Sequence, residues 1–152
     1  MYQIGDSIQD FTLLNHKGES ITLSTFRGKK VFIWFYPKAS TPGCTVEGCT
    51  LRDNFTNFQN ENIVILGISM DSVKRQNSFV EKQAFPYDLL SDPERTVINA
   101  FGAWGPKKMA GREYEGILRS SFLINEEGVL EKTFLKVKTK THAEDVLKAL
   151  QE

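Results

Sequence analysis

Between Val31 and Tyr36 the chain reads VFIWFY, an unbroken run of apolar, aromatic and β-branched residues that predicts a central strand buried on both faces. Pro37 ends it, because proline has no N–H to give to a ladder. Thr41 and Pro42 then open a helix predicted to reach about Asn60, with Val46, Leu51, Phe55 and Phe58 on one stripe. Ile63 to Ile68 (IVILGI) is a second buried strand, and Ser72 to Ala84 a helix with Val73, Phe79 and Val80 as its apolar positions. Leu89 and Leu90 mark a short strand, after which Asp92 as N-cap and Pro93 at the first helical position start a helix ending near Gly102. Gly102 to Gly116 is rich in glycine and reads as a long loop, in which Trp104 and Met109 either line an entrance or pack locally. Ile117 to Ile124 and Val129 to Leu135 flank Asn125-Glu126-Glu127-Gly128, a hairpin pattern, as Phe11 to Leu14 and Ile21 to Leu23 do around His16-Lys17-Gly18-Glu19. Thr141-His142-Ala143-Glu144 has the form of a capping box opening a terminal helix with Val146, Leu147 and Leu150 inward.

Strand–helix–strand crossovers followed by an antiparallel hairpin predict an α/β fold of thioredoxin-like kind: a mixed central sheet, helices on both faces and an N-terminal β-hairpin. With 152 residues and no repeat or linker, residues 1–152 read as a single domain.

Nineteen basic residues balance nineteen acidic ones, which removes the electrostatic argument for nucleic acid or an anionic membrane as partner. The basic stretch Lys136 to Lys140 reads as solvated surface. No apolar run approaches the roughly 20 residues that a membrane span needs. Met1 to Asp6 lacks the basic and apolar regions of a signal peptide, so a cytoplasmic protein is expected. Two cysteines are too few for a disulfide scaffold, so the pair, if it matters, matters for chemistry more than for stability.

With Thr41 as N-cap, Cys44 falls at the third helical position, where a capping box normally carries an acid. First-turn N–H groups without intrahelical partners and the positive end of the helix dipole favour a thiolate there, and the thiolate is the nucleophile. Gly43 leaves the approach to the sulfur open. Thr41 either caps the helix or turns its hydroxyl toward the sulfur and a bound oxygen. The plainer alternative for Cys44 is a small buried hydrophobe. Cys49 is either a second redox thiol or a structural residue. Zinc would need about four N, S or O ligands, and only His16 and His142 could join the thiols. Both histidines sit in turn or helix-start contexts and read as exposed surface, which argues against a zinc site.

The segment Phe35-Tyr36-Pro37-Lys38-Ala39-Ser40-Thr41-Pro42-Gly43-Cys44-Thr45-Val46-Glu47-Gly48-Cys49 resembles the active-site segment of the peroxiredoxins, most of all their bacterioferritin-comigratory protein (BCP), or PrxQ, subfamily. The similarity continues through Gly67-Ile68-Ser69, Leu90-Ser91-Asp92, Phe101-Gly102-Ala103-Trp104-Gly105 and Arg119-Ser120-Ser121-Phe122. What the resemblance implies is a thiol-dependent peroxidase. Cys44 would attack the peroxide O–O bond and become a sulfenic acid. Thr41 would hold the peroxide in line, Pro37 would shield the sulfur, and Arg119, on the strand Ile117 to Ile124, would polarise the peroxide and stabilise the thiolate. Cys49 would resolve the sulfenic acid as an intramolecular disulfide, which thioredoxin or a related dithiol would reduce. Hydroperoxides are the implied substrates and a monomer the implied state, and no metal or other cofactor is implied. Rival readings are a one-cysteine peroxidase resolved by an external thiol, a non-catalytic redox sensor, and a domain with inert cysteines.

An ideal helix separates Cα atoms five residues apart by roughly 8.6 Å, whereas a disulfide needs about 4.4–6.8 Å. Cys44 and Cys49 therefore bond only if the first turns of their helix unwind. Oxidation of the pair should lower the helical far-UV circular dichroism, and identical spectra of reduced and oxidised protein would contradict this.

Overall fold

The structure is a computed structural model that describes residues 1–151, with Met109 described by its backbone alone. The elements follow in the order β1 Thr12–Asn15, β2 Ser20–Thr22, a 3-10 turn Leu23–Phe26, β3 Lys30–Phe35, α1 Pro42–Asp53, α2 Phe55–Asn60, β4 Ile63–Ser69, α3 Val73–Gln83, β5 Asp88–Ser91, α4 Thr96–Ala100, β6 Trp104–Met109, β7 Arg112–Ile117, β8 Ser120–Ile124, β9 Leu130–Phe134 and α5 His142–Ala149. Seven strands form one sheet in the order β2-β1-β5-β4-β3-β8-β9. β3, β4 and β5 are parallel, while β1 joins β5 and β8 joins β3 in antiparallel register. The mixed α/β sheet expected from the pattern is therefore present.

The period of two in β3 divides the core between the sheet's faces. Val31, Ile33 and Phe35 join Leu66, Ile68, Val97, Phe101 and Phe122 on one side, under α4. Phe32, Trp34 and Tyr36 join Leu51, Phe58, Phe79, Leu123 and Val146 on the other, under α1, α2, α3 and α5. No helix among the described residues is long and apolar enough to cross a membrane.

Several local expectations give way, each for a visible reason. The helix predicted to Asn60 breaks at Asn54, whose side-chain amide donates to the Thr50 carbonyl at 2.9 Å and so competes with the helical ladder. Val46, expected on the buried stripe, is exposed; the buried positions of α1 are Cys44, Glu47, Gly48 and Leu51. Asp92 does not immediately precede its helix: α4 begins at Thr96, and the Asp92 carboxylate accepts N–H bonds from Thr96, Val97 and Ile98 across an intervening turn. Thr141 makes no side-chain cap to α5 and instead donates to Asp145 at 2.8 Å, so Glu144 completes no capping box.

The expected loop from Gly102 to Gly116 is a hairpin, β6–β7, that stands apart from the main sheet. Ala110 and Gly111 join its strands with φ of 52° and 79°, and two positive φ values are what a tight hairpin turn of matching twist demands. Ala-Gly lacks the asparagine or aspartate that usually announces such a turn, and Gly105, Pro106 and Gly116 disguise the strands. Trp104 packs against the first core, with the Arg95 guanidinium 4.1 Å above its ring. The Met109 side chain lies outside the described residues.

Gly48 lets α1 settle on the sheet. A Cβ there would stand 2.5 Å from Phe85 Cζ and 3.2 Å from Trp34 Cη2, and the Tyr87 hydroxyl donates to the Gly48 carbonyl at 2.8 Å. Gly48→Ala should destabilise the fold by about 1–2 kcal/mol. Overpacking against rigid rings, at ~1–3 kcal/mol, outweighs the helix-propensity gain of about 0.5–1 kcal/mol. Urea melts of the two proteins would show it, and an unchanged or raised midpoint would refute it.

Candidate active site

β3 delivers the chain to the site: Tyr36 is buried, and Pro37 starts a loop that ends at Thr41, the N-cap of α1. Within that loop Ser40 takes a left-handed conformation, φ 64°, and the Ala39 N–H donates to Asp71 Oδ2 at 2.7 Å. Of the two roles expected of the Thr41 hydroxyl, capping the helix is not the one it takes. It donates to the Lys38 carbonyl at 2.7 Å and makes no cap bond. The first helical hydrogen bond of α1 runs from Thr45 N to Thr41 O, so the N–H groups of Gly43 and Cys44 lie ahead of the ladder.

Cys44 is fully buried and a free thiol. Arg119 reaches it from the opposite side of the chain: Nη2 donates to Cys44 Sγ at 3.4 Å, while Nη1 bonds Glu47 Oε1 at 2.6 Å. Gly43 makes room for this guanidinium, since a Cβ on Gly43 would sit 3.2 Å from Nη2. Arg119 is not within a strand as expected; it lies between the end of β7 at Ile117 and the start of β8 at Ser120. Lys107 of β6 donates to the Ile117 carbonyl at 2.8 Å. Burial and the Arg119 charge pull its pKa down, against the pull of Cys44.

Cys49, also a free thiol, lies within the intact helix, half-buried, with its sulfur 3.4 Å from Gln83 Oε1. Burial pushes this thiol's pKa up, against the pull of Arg52. It borders a cleft with Thr45, Val46, Thr50, Asp53, Asn54, Lys140 and Glu144. Pro37, half-buried, borders a separate cleft with Lys38, Met70, Asp71, Ser72 and Arg75. Thr41, Cys44 and Arg119 thus gather at the first turn of α1; Cys49 lies deeper along the helix and Pro37 at the strand end.

Two members of the site are not among the residues the sequence singles out. Glu47 is fully buried one helical turn after Cys44 and carries the ion pair that holds Arg119. His142, expected on the surface, is 2% exposed; its Nε2 lies 2.7 Å from Ser121 Oγ and 3.7 Å from Glu47 Oε2. His16, the other histidine expected outside, is 7% exposed beneath β5, its Nδ1 3.5 Å from the Leu89 nitrogen. The spacing Cys44, Glu47, Gly48, Leu51 is the signal that could find Glu47, as a member of one helical face. For His142, nothing in its local pattern distinguishes it from an exposed helix start. Among the described residues no cluster of three or more His, Cys, Asp or Glu side chains is suited to a metal.

Comparison with known proteins places the chain in a family. The AhpC/TSA family model matches residues 4–133. A putative peroxiredoxin bcp from Haemophilus influenzae is 47% identical over 148 residues, covering 97% of this chain and 96% of its own. The crystal structure of a cysteine-to-serine mutant of Xylella fastidiosa PrxQ superposes with a TM-score of 0.93 at 34% identity, covering 99% of this chain and 96% of its own. The Xanthomonas campestris bacterioferritin comigratory protein gives 0.87 at 37% identity, covering 96% and 98%. The chain belongs to the AhpC/TSA family, and within it to the peroxiredoxins of the Bcp/PrxQ subfamily.

The two buried ionisable groups beside Arg119 oppose one another. Burial pushes Glu47 up to about 7, against the pull of the Arg119 guanidinium. Burial pulls His142 down to about 4, so at neutral pH its 3.7 Å approach to Glu47 is not an ion pair. A carboxyl raised on folding binds more protons in the native state, so its contribution to stability is lost as pH rises from about 4.5 to 7. His142 has the reverse sign and gains stability as pH rises from about 4 to 6.5. In the wild type the two slopes largely cancel. Glu47→Gln removes one of them, so the variant's stability relative to wild type should climb between pH 4.5 and 7, on the order of 2–3 kcal/mol. Denaturant midpoints across that range test this, and a difference that stays flat or falls with pH would refute it.

Proposed function

We propose that this chain is a peroxidase that reduces hydrogen peroxide and organic hydroperoxides, with residues 1–152 working as one domain. The observation that carries the reading is the Arg119 guanidinium 3.4 Å from a buried Cys44 sulfur at the first turn of α1. A thiolate there is met by a cation and by unpaired helix amides. The Cys44 thiolate attacks the terminal peroxide oxygen, the O–O bond breaks, and the departing oxygen leaves as water or an alcohol after taking a proton. Arg119 and the first-turn amides stabilise the negative charge as it moves onto the leaving oxygen. Thr41 orients the peroxide with an oxygen whose own proton is committed to Lys38 O, and Pro37 shields the sulfur from the strand side. The Cys44 sulfenic acid then condenses with the Cys49 thiol, forming a disulfide and water.

A dithiol reductant of the thioredoxin type returns the pair to thiols. A cycle that starts from two free thiols suits a reducing compartment such as the cytoplasm. Because both cysteines lie in one chain, the chemistry requires no second subunit, and we assign a monomer. Activity toward alkyl peroxides is supported by the Xanthomonas relative, whose structure concerns its alkyl peroxide reduction.

One equivalent of hydrogen peroxide added to the reduced protein should remove both thiols within seconds, with the intact mass falling by two hydrogens. In Cys49→Ser the same treatment should add one oxygen at an unchanged initial rate. A wild-type gain of one oxygen with Cys49 still free would reassign resolution to an external thiol. Oxidation no faster than that of free cysteine would end the peroxidase reading.

A further inference from the structure

The loop that leads into the Cys44 helix is tied to the rest of the fold by a side chain the catalytic chemistry does not use. Asp71, at the corner between β4 and α3, is buried, and its Oδ2 accepts from the Ala39 N–H at 2.7 Å and from the Ser69 hydroxyl at 2.6 Å. The carboxylate is itself clamped. Its backbone N–H donates to Ser69 Oγ, its carbonyl accepts from the Ser91 hydroxyl, and Ser69 Oγ accepts from Gln76, which also bonds Tyr36 and Leu90. Arg75, largely exposed, approaches its other oxygen only to 4.0 Å. A cluster drawn from β4, α3, β5 and the residue after β3 thus sends one bond of its carboxylate into the Pro37–Thr41 loop.

That bond falls where the loop is least able to hold its own shape. Ala39 follows Lys38, whose carbonyl takes the Thr41 hydroxyl, and precedes Ser40 in its left-handed conformation. A non-glycine residue at positive φ is held there by its surroundings at some cost. Releasing Ala39 frees Ser40 to relax, and with it the N-cap and first turn of α1. The first turn must unwind for Cys44 to reach Cys49, as the helix geometry requires.

We propose that Asp71 is a positioning residue that latches the Cys44 loop in its helical, peroxide-reacting form and thereby sets how the Cys44 sulfenic acid is divided between two fates. In one, the loop unwinds and the sulfenic acid condenses with Cys49 to a disulfide and water. In the other, the loop stays latched and the sulfenic acid reacts with a second hydroperoxide, becoming a sulfinic acid while the peroxide leaves as water or alcohol. The inference rests on Cys44 as peroxidatic and Cys49 as resolving thiol.

The two rates should move in opposite directions when the latch is removed, which general destabilisation does not produce. In single-turnover quenched-flow with mass detection, Asp71→Ala should oxidise Cys44 about tenfold more slowly and close the disulfide about tenfold faster, the scale of a lost hydrogen bond to a charged group. With excess peroxide it should accumulate less sulfinic acid than wild type. Asp71→Asn, which keeps an oxygen for Ala39 but not the charge, should fall between the two, and it carries the test should the alanine variant not fold. Ser91→Ala removes a bond from the same cluster while leaving the carboxylate in place, and should shift neither rate. Folded Asp71 variants with wild-type rates, or with both rates lowered together, would overturn the latch and leave the peroxidase reading intact. A wild-type protein that never closes the disulfide would overturn both the Cys49 assignment and the latch.

Discussion

One guanidinium, with a nitrogen on the Cys44 sulfur and another on the Glu47 carboxylate, is the contact on which the site depends. Glu47 and Arg119 need each other. A buried carboxylate without a partner costs several kcal/mol, and a guanidinium drawn beneath a helix needs its charge met by more than a thiol. Helical spacing does the rest, because Cys44 and Glu47 lie three residues apart and so present sulfur and carboxylate to the same side. The remaining Glu47 oxygen has no hydrogen-bond partner among the described residues and faces a neutral imidazole. Burial pushes this carboxyl up to about 7 even with a guanidinium 2.6 Å away.

The same helix is held unevenly along its length. Its far half is anchored by Leu51 and by Gly48, seated against Phe85 and Trp34, with Tyr87 bonded to the Gly48 carbonyl. In its first turns Pro42 and Val46 are exposed and Gly43 and Thr45 half-buried, so the buried weight rests on Cys44 and Glu47. Local opening is expected where buried apolar contacts are few. A Cys44–Cys49 bond would require unwinding that carries Glu47 away from Arg119 toward water. The desolvation that opposes Glu47 ionisation would then be relieved, offsetting part of the cost of breaking the ion pair. A helix that opened to form that bond would be poorly served by an apolar residue at position 47, and well served by a carboxylate that water welcomes.

Much of this is legible in one dimension. The VFIWFY and IVILGI runs are buried parallel neighbours at the sheet's centre, and Cys44 stands at the third position of a helix that starts at Pro42. What escapes a reading of the sequence does so because its cause lies elsewhere in the chain. The β6–β7 hairpin turns on an alanine at positive φ, which only the surrounding fold can impose. His142 and His16 are polar residues in ordinary turn-like contexts, and their burial comes from α5 settling over β8 and from the pairing of β1 with β5. Glu47 is the exception: it lies inside the motif, and its place on the Cys44 face can be read from spacing alone. Arg119 is singled out wholly by family resemblance, since a lone arginine near a strand carries no signal of its own.

Sheet topology explains why residues so far apart in sequence meet at one sulfur. β3 and β4 run parallel, with Phe35 at the end of β3 paired to Ile68 near the end of β4, while antiparallel β8 begins at Ser120 opposite Phe35. The loop after β3, the corner after β4 and the segment before β8 therefore open onto the same edge. They supply, respectively, Thr41 and the helix start that bears Cys44; Asp71; and Arg119. In open α/β sheets the crevice beyond the carboxyl ends of the parallel strands is where loops converge and chemistry collects. Here the antiparallel neighbour adds a cation from its N-terminal end, which an all-parallel sheet could not place there. The mixed character of the sheet is thus part of the site's chemistry: reversing β8 would carry Arg119 to the opposite edge and leave Glu47 buried without a counter-charge.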